Sequence, residues 1–144
     1  MFKNIAVAYD ESPEAGRALS TAIHLAKTLG AELQTITVME NLPAYTSFAV
    51  STDPTMLNVL MEDRSEYYKR LQSDVLAAGQ REGVEVVAHL INGEEVDEIV
   101  HFVCESKIDL LVIGLHRRQS RVSRVWSTVY TVAQNVPCSV LGVP

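Results

Sequence analysis

The sequence predicts an α/β fold: a doubly wound, five-stranded parallel sheet in the order 3-2-1-4-5, with helices on both faces. Short, near-continuous apolar segments alternate with longer segments whose apolar residues recur every three or four positions. A parallel sheet built from such units needs right-handed crossovers, which place helices on both faces. The length of 144 residues suits a single domain, 1–144, that buries roughly 70% of its unfolded surface.

The first half of the chain supplies two strands and one helix. An apolar strand is predicted at residues 5–9, and a helix follows with Ser12 as its N-cap and Pro13 as its first residue. Gly30 ends this helix, and a second strand is predicted at 33–39. The predicted inward face of the helix consists of Ala15, Leu19, Ala22, Ile23, Ala26 and Leu29.

The second half begins after a loop-like segment, 40–54. A long helix, Thr55–Glu82, follows and ends at Gly83, and strands are predicted at 84–91, 110–113 and 138–143. Shorter helices are predicted at 96–106 and at a segment that ends near residue 135. The long helix carries its apolar residues on one side, as Leu57, Leu60, Met61, Tyr68, Leu71, Val75 and Leu76.

Composition excludes several classes of function. The formal net charge of -6 argues against general nucleic-acid binding. No apolar run approaches the ~18 residues that a membrane span needs, and a strand that begins almost at Met1 leaves no room for a signal peptide. Cys104 and Cys138 are expected to be reduced, buried thiols, and no Cys/His spacing indicates a metal site. We therefore expect a cytoplasmic protein without membrane insertion.

Ligands of doubly wound sheets bind where the winding direction reverses, here between strands one and four. Asp10 follows strand one, and it either accepts hydrogen bonds from a ribose or adenine or stabilises the following turn. Gly114 follows strand four, and it either lets a ligand approach the backbone or serves an ordinary turn. Ser127 and Thr128 begin the last helix, where they either bind a phosphate or cap the helix.

Four arginines lie between Gly114 and the last helix of this acidic chain: Arg117, Arg118, Arg121 and Arg124. Cations before a helix N-terminus oppose the helix dipole by a few tenths of a kcal/mol. The cluster therefore indicates a bound anion, a contact with another subunit, or a solvated loop that the acidic excess makes tolerable.

Four segments taken in order resemble the universal stress protein family. They are 4–12, the stretch Asn92-Gly93-Glu94, 109–114 and 136–143, and the similarity extends over essentially the whole chain. The resemblance implies the family's α/β sheet. It also implies a homodimer in which the last strands of two subunits meet, and a terminal apolar edge strand needs such cover on physical grounds.

Nucleotide-binding members of this family carry the motif G-x2-G-x9-G-[S/T] after strand four. In this sequence the four positions are Gly114, Arg117, Ser127 and Thr128, so the spacing and the hydroxyl are kept while two glycines are replaced. The resemblance implies a site for ATP or another adenine nucleotide, with or without Mg²⁺. Its predicted residues are Ala8, Asp10, Val38, Met39, Gly114, Arg117, Ser127 and Thr128.

Two functions are therefore considered. The first is a stress-response or regulatory protein that binds an adenine nucleotide, weakly because the glycine motif is degenerate. The second is a dimeric interaction protein of the same fold that binds a regulatory protein partner and no nucleotide. The loop 10–13 lacks the Ser/Gly-rich phosphate loop of adenylating enzymes, and no general base or catalytic residue is evident, so the chain is not expected to be an enzyme.

Overall fold

The computed structural model describes residues 1–40, 51–116 and 127–144. Within these ranges strands and helices alternate along the chain. The strands are β1 (Asn4–Ala8), β2 (Glu32–Met39), β3 (Val86–Asn92), β4 (Leu110–Gly114) and β5 (Ser139–Val143). The helices are α1 (Pro13–Leu29), α2 (Thr55–Glu82), α3 (Glu95–Glu105) and α4 (Thr128–Asn135).

The five strands form one sheet in the order β3-β2-β1-β4-β5, and every neighbouring pair is parallel. This confirms the predicted fold class and strand order. Strand β1 lies at the centre, where Ala8 is paired with Ile36 of β2 on one side and with Ile113 of β4 on the other. The carboxyl ends of β1, β2 and β4 therefore lie side by side.

Each face of the sheet is covered by two helices and has its own apolar core. Alternate residues of a strand point to opposite faces, so Ile5 and Val7 of β1 pack against α1 and α2. Ala6, between them, packs on the other face against α3 and α4. The helices on that second face contribute Ile99, Phe102, Val103 and Val132.

The ends of α1 follow the predicted chemistry. The hydroxyl of Ser12 accepts a hydrogen bond from the amide of Ala15 (3.1 Å), and Pro13 is the first helical residue. Gly30 closes the helix with φ of 65°, a left-handed conformation that is accessible to glycine without steric cost.

The carboxylate of Asp109 fixes the start of the central strand. It accepts hydrogen bonds from the amide of Lys3 (2.8 Å) and from the amide of Asn4 (3.1 Å). The amide of Asp109 in turn donates to the carbonyl of Asn4 (3.0 Å). These bonds hold the beginnings of β1 and β4 in register across more than 100 intervening residues.

Several sequence-based expectations were wrong in detail. The long helix buries Leu71 and Val75 in its second half, whereas Leu57 and Met61 in its first half are 38% and 54% exposed. Leu76 and Leu29 are also exposed. Strand β3 begins at Val86 rather than at residue 84, because the amide of Val84 donates to the carbonyl of Gly79 at the end of α2.

The cysteine prediction was also wrong in part. Both thiols are free, but Cys104 is exposed and Cys138 is only half-buried. The neighbours Phe102 and Val103 occupy the inward side of α3, so the next residue turns toward solvent. Residues 41–50 of the predicted loop and the four arginines lie outside the described residues. No described helix combines the length and the apolarity needed to cross a membrane.

Candidate functional site

A cavity of about 850 Å³ opens at the carboxyl edge of the sheet, above β1 and between its neighbours β2 and β4. This is the point where the winding direction reverses, as the sequence predicts. Its described lining comes from Ala8, Tyr9, Asp10, Ser12, Ala15, Ile36, Val38, Glu95, Ile99, Ile113, Gly114, Leu115, His116, Ser127, Thr128, Val129, Tyr130 and Ala133.

Six of the eight predicted site residues line this cavity: Ala8, Asp10, Val38, Gly114, Ser127 and Thr128. Met39 does not belong to its described lining. It is the last residue of β2, and its carbonyl accepts a hydrogen bond from the amide of Gly93 (3.2 Å). Arg117 lies outside the described residues.

Asp10 stabilises the turn between β1 and α1. One oxygen of its carboxylate accepts a hydrogen bond from the amide of Ser12 (2.8 Å), and the side chain is exposed at the cavity. Both interpretations considered for Asp10 therefore describe compatible uses of one carboxylate, because each of its oxygens accepts more than one hydrogen bond.

Gly114 is required by the packing of the protein itself. A Cβ atom at this position would lie 2.7 Å from the carbonyl carbon of Glu14 and 2.8 Å from the amide nitrogen of Ala15. The end of β4 thus passes directly against the first turn of α1. In the structure the backbone at Gly114 is approached by α1, and the approach of a ligand to it stays a prediction.

Ser127 and Thr128 begin α4 at the cavity. The hydroxyl of Ser127 accepts a hydrogen bond from the amide of Tyr130 (3.1 Å), which confirms that Ser127 caps the helix. Thr128 is the first helical residue, and the amides of a first turn have no intrahelical partner. The positive end of the α4 dipole and the Thr128 hydroxyl therefore favour an anionic group at this end of the cavity.

The β2 side of the cavity is apolar. Ile36 and Ile99 are almost fully buried and belong to the core beneath α3 and α4, and Val38 packs against the same core. These three aliphatic side chains form part of the cavity lining. They offer a flat, apolar ligand a surface that excludes water on one side.

Glu95 brings a carboxyl group to this apolar side. It is the first residue of α3 and lies four positions before Ile99, so both side chains share one face of the helix. Burial raises the pKa of Glu95, and the nearby carboxylates of Glu40, Asp10 and Glu94 raise it further, while His116 opposes them. The site thus contains a carboxyl group that is less easily ionised than an ordinary glutamate.

His116 connects the cavity to the first helix. Its Nδ1 atom lies 3.1 Å from a carboxylate oxygen of Glu14, and Arg17 lies 3.6 Å from the other oxygen of the same carboxylate. Arg17 also donates a hydrogen bond through Nε to the carbonyl of Pro144 (2.8 Å). The segment after β4, helix α1 and the end of the described chain are therefore joined by polar contacts.

Leu115 connects the cavity to the last strand. Its amide donates a hydrogen bond to the carbonyl of Val143 (2.7 Å), and its side chain lines the cavity. A Cβ atom at Gly142 would lie 2.7 Å from the Leu115 side chain, so that side chain is seated directly on the glycine of β5.

The charge of the described lining is mainly negative. Asp10 and Glu95 contribute carboxyl groups and His116 an imidazole, whereas neither Lys nor Arg occurs among the described lining residues. Over the described parts of the chain, no group of three or more His, Cys, Asp or Glu side chains is arranged to hold a metal ion.

The sequence prediction missed Glu95, and a signal for it was present. The predicted site residues came from β1, β2, the end of β4 with the segment after it, and the start of the last helix, and none came from the connection after β3. Every β-to-α connection of a parallel sheet nevertheless reaches the same edge. Gly93, with φ of 151°, turns the chain after β3 so that α3 packs back against β2. The first turn of α3, which contains Glu95, therefore contributes to the cavity.

Comparison with known proteins agrees with this architecture. The profile of the family described as "Universal stress protein family" matches residues 1–144. Universal stress protein YxiE of Bacillus subtilis is 29% identical over 117 residues, which is 79% of this chain and 79% of the relative. Universal stress protein MJ0531 of Methanocaldococcus jannaschii is 27% identical over 145 residues, covering 99% of this chain and 82% of the relative.

Solved structures show the same fold. A universal stress protein family member from Burkholderia pseudomallei is 27% identical, with a TM-score of 0.73 over 99% of this chain and 96% of that one. A universal stress protein in complex with cAMP has a TM-score of 0.77 at 21% identity, covering 99% and 97%. One from Archaeoglobus fulgidus in complex with dAMP has a TM-score of 0.68 at 19% identity, covering 100% and 98%. Since the family profile matches all 144 residues, the chain belongs to the universal stress protein family.

Proposed function

We propose that this protein is a cytoplasmic, non-enzymatic stress-response regulator whose cavity binds an adenine nucleotide. The observation that carries the proposal is the meeting of the Asp10 turn, the end of β4 at Gly114 and the N-terminus of α4 in one cavity. A volume of about 850 Å³ lies within the range of about 300–1,000 Å³ that is common for small-molecule sites.

The two sides of the cavity match the two ends of a nucleotide. The aliphatic side chains Ile36, Val38 and Ile99 suit a planar base, because a base is apolar on its faces. The Thr128 hydroxyl and the first-turn amides of α4 suit a phosphate. Asp10 lies between them and offers acceptors for ribose hydroxyls.

Relatives of the same fold support the choice of an adenine nucleotide. One is described in complex with cAMP and another in complex with dAMP. In this chain the two carboxyl groups of the lining disfavour a high negative charge on the ligand. The arginines at 117, 118, 121 and 124 precede α4 in sequence and carry the opposite charge. Comparison of the affinities for AMP and ATP therefore measures which of these opposite charges has the larger effect on a phosphate chain.

The proposal is tested by calorimetric titration of the purified protein with AMP and with ATP, each with and without Mg²⁺, after removal of any co-purified nucleotide. We expect saturable binding with one site per chain. Thr128→Val, which removes a hydroxyl and keeps the shape of the side chain, should weaken binding about tenfold.

Thr28→Val is the matched control for this experiment. Thr28 lies in the last turn of α1, at the opposite end of this helix from the cavity. Its hydroxyl donates a hydrogen bond to the carbonyl of His24 (2.8 Å). This variant should bind as the wild type does. Absence of binding at millimolar AMP and ATP to the folded protein would refute the proposal and favour the interaction protein without a nucleotide.

We further propose a homodimer formed through β5, and a regulatory protein as the eventual partner of the dimer. Strand β5 lies at the edge of the sheet, where β4 is its only neighbour among the described strands. Its residues Val140–Val143 are half-buried rather than buried. An apolar edge strand of this kind favours pairing with a second copy. Light scattering on a sizing column should give twice the chain mass of 15.9 kDa, and a monomer at micromolar concentration would contradict the dimer.

A further inference from the structure

Helices α1, α3 and α4 all begin at the cavity, and the first turns of α3 and α4 differ most in charge. The first turn of α3 carries three carboxyl groups, on Glu95, Asp97 and Glu98. The first turn of α4 carries no acidic residue and begins with the hydroxyls of Ser127 and Thr128. A helix N-terminus attracts anions because it is the positive end of the helix dipole. At α3 the protein's own carboxyl groups already interact with that positive end. The phosphate of a nucleotide is therefore favoured at α4 and disfavoured at α3.

The strand order determines how a nucleotide would be oriented between α3 and α4. Helix α3 packs on β2, while α4 follows β4, and the two strands lie on opposite sides of β1. Neighbouring strands are about 4.8 Å apart, so the ends of β2 and β4 are separated by roughly 10 Å. This separation is similar to the length of a nucleoside monophosphate. A nucleotide with its phosphate at α4 consequently places its base above β2, beside α3.

On that side the base meets the carboxyl group of Glu95 beside aliphatic side chains. Glu95 lines the cavity one helical turn before Ile99, and Val38 and Ile36 belong to the same lining. An ionised carboxyl group accepts hydrogen bonds and donates none. A half-buried acceptor in an apolar surrounding is stabilised by a donor from the ligand, because unpaired burial of a polar group is costly.

We propose that Glu95 is the specificity-determining residue of this cavity and that its carboxylate accepts a hydrogen bond from the 6-amino group of adenine. This inference rests on the proposed function, since it assumes that a purine nucleotide enters the cavity. A 6-oxo purine presents an oxygen to the carboxylate in place of the amino group, and two acceptors repel each other. Glu95 thus distinguishes adenine from hypoxanthine.

The test compares three probes that differ at one position of the base: AMP, IMP and N6,N6-dimethyl-AMP. IMP replaces the amino group by an oxygen, and the dimethyl compound keeps the nitrogen but has no hydrogen to donate. Wild-type protein should bind AMP about tenfold or more tightly than either of the others in calorimetric titration, since a hydrogen bond to a charged group is lost.

Substitution of Glu95 should change the ratio of these affinities. In Glu95→Gln the amide group donates to the 6-oxo oxygen, so the preference for AMP over IMP should fall to about threefold or less. In Glu95→Leu, which has no polar group, AMP and dimethyl-AMP should bind within about threefold of each other. The matched control is Asp97→Asn, which alters an exposed carboxylate of the same helical turn that does not line the cavity and should keep the wild-type ratio.

The outcomes separate this inference from the proposed function. If AMP binds but the wild type does not distinguish AMP from IMP, or if Glu95→Gln keeps the full preference, Glu95 does not select the base and the inference is refuted. In both of these cases the nucleotide site itself stands. If none of the three probes binds the folded wild-type protein, the proposed function fails first.

Discussion

Replacement of Gly114 by alanine tests whether this glycine serves the ligand or the fold. The added Cβ would lie 2.7 Å, 2.8 Å and 2.9 Å from three atoms of Glu14 and Ala15. Two of these atoms belong to the backbone of α1, so relief requires movement of the helix against β4. Gly114 has no positive φ, and the whole cost is therefore steric. Overpacking of this kind costs about 1–3 kcal/mol.

Gly16→Ala is the matched control. Gly16 lies inside α1, next to Ala15 in sequence, and a Cβ atom there would have nothing within 4 Å. Alanine is favoured over glycine in a helix interior, so this variant should gain about 0.5–1 kcal/mol. The same substitution in two neighbouring places should thus change stability with opposite signs.

Urea unfolding followed by far-UV circular dichroism measures both variants without any ligand. Gly114→Ala should unfold at lower urea than the wild type, and Gly16→Ala at higher urea. For a domain of this size the melting temperature should change by about 2–4 °C per kcal/mol. A Gly114→Ala protein that is as stable as the wild type but has lost nucleotide binding would refute the reasoning, because the glycine would then serve the ligand.

Three further substitutions follow from the same structure. Gly79→Ala should destabilise the protein by about 1–3 kcal/mol, because its Cβ would lie 2.5 Å from a methyl carbon of Val86; chemical unfolding measures the loss, and wild-type stability would contradict it. Asp109→Ala should cost about 1–3 kcal/mol, since the amide of Asn4 loses its acceptor; hydrogen exchange at the start of β1 should rise, and unchanged protection would show that the carboxylate is not needed. Because the pKa of Glu95 is raised, folding favours its protonated form. Protonated Glu95 therefore contributes to stability below the ordinary pKa of 4.5, and this contribution is lost as pH rises through the folded-state pKa. Glu95→Gln should therefore be more stable than the wild type at neutral pH, with equal urea midpoints below pH 4.5, and a gap that persists in acid would contradict this.

The order of the strands could be predicted because few topologies satisfy parallel pairing, short connections and right-handed crossovers at once. The positions of Asp10 and Gly114 at one edge followed directly from that order. Helix ends were equally local: Ser12 accepts from an amide three residues later, and Gly30 adopts a left-handed conformation. These features depend on sequence neighbours or on general rules of chain geometry.

Features that depend on tertiary distance could not be obtained in the same way. The apolar side of α2 is continuous in sequence, but only its second half, with Leu71 and Val75, reaches the core. Periodicity identifies a face of a helix without showing what the face contacts. Likewise, the contribution of Glu95 depends on how α3 packs on β2, and the need for glycine at 114 depends on the position of α1.

The seating of Leu115 on Gly142 has a mechanical consequence. Leu115 in the cavity wall packs on Gly142 of the edge strand β5 and donates a hydrogen bond from its amide to the carbonyl of Val143, so movement of either segment disturbs the other. A ligand that moved the Leu115 backbone would weaken that hydrogen bond, and one that moved its side chain would leave a gap over Gly142. Thermodynamic linkage then requires reciprocity: whatever such a ligand does to association through β5, association does to the affinity for the ligand. A ligand affinity that varies with protein concentration would reveal this coupling in solution.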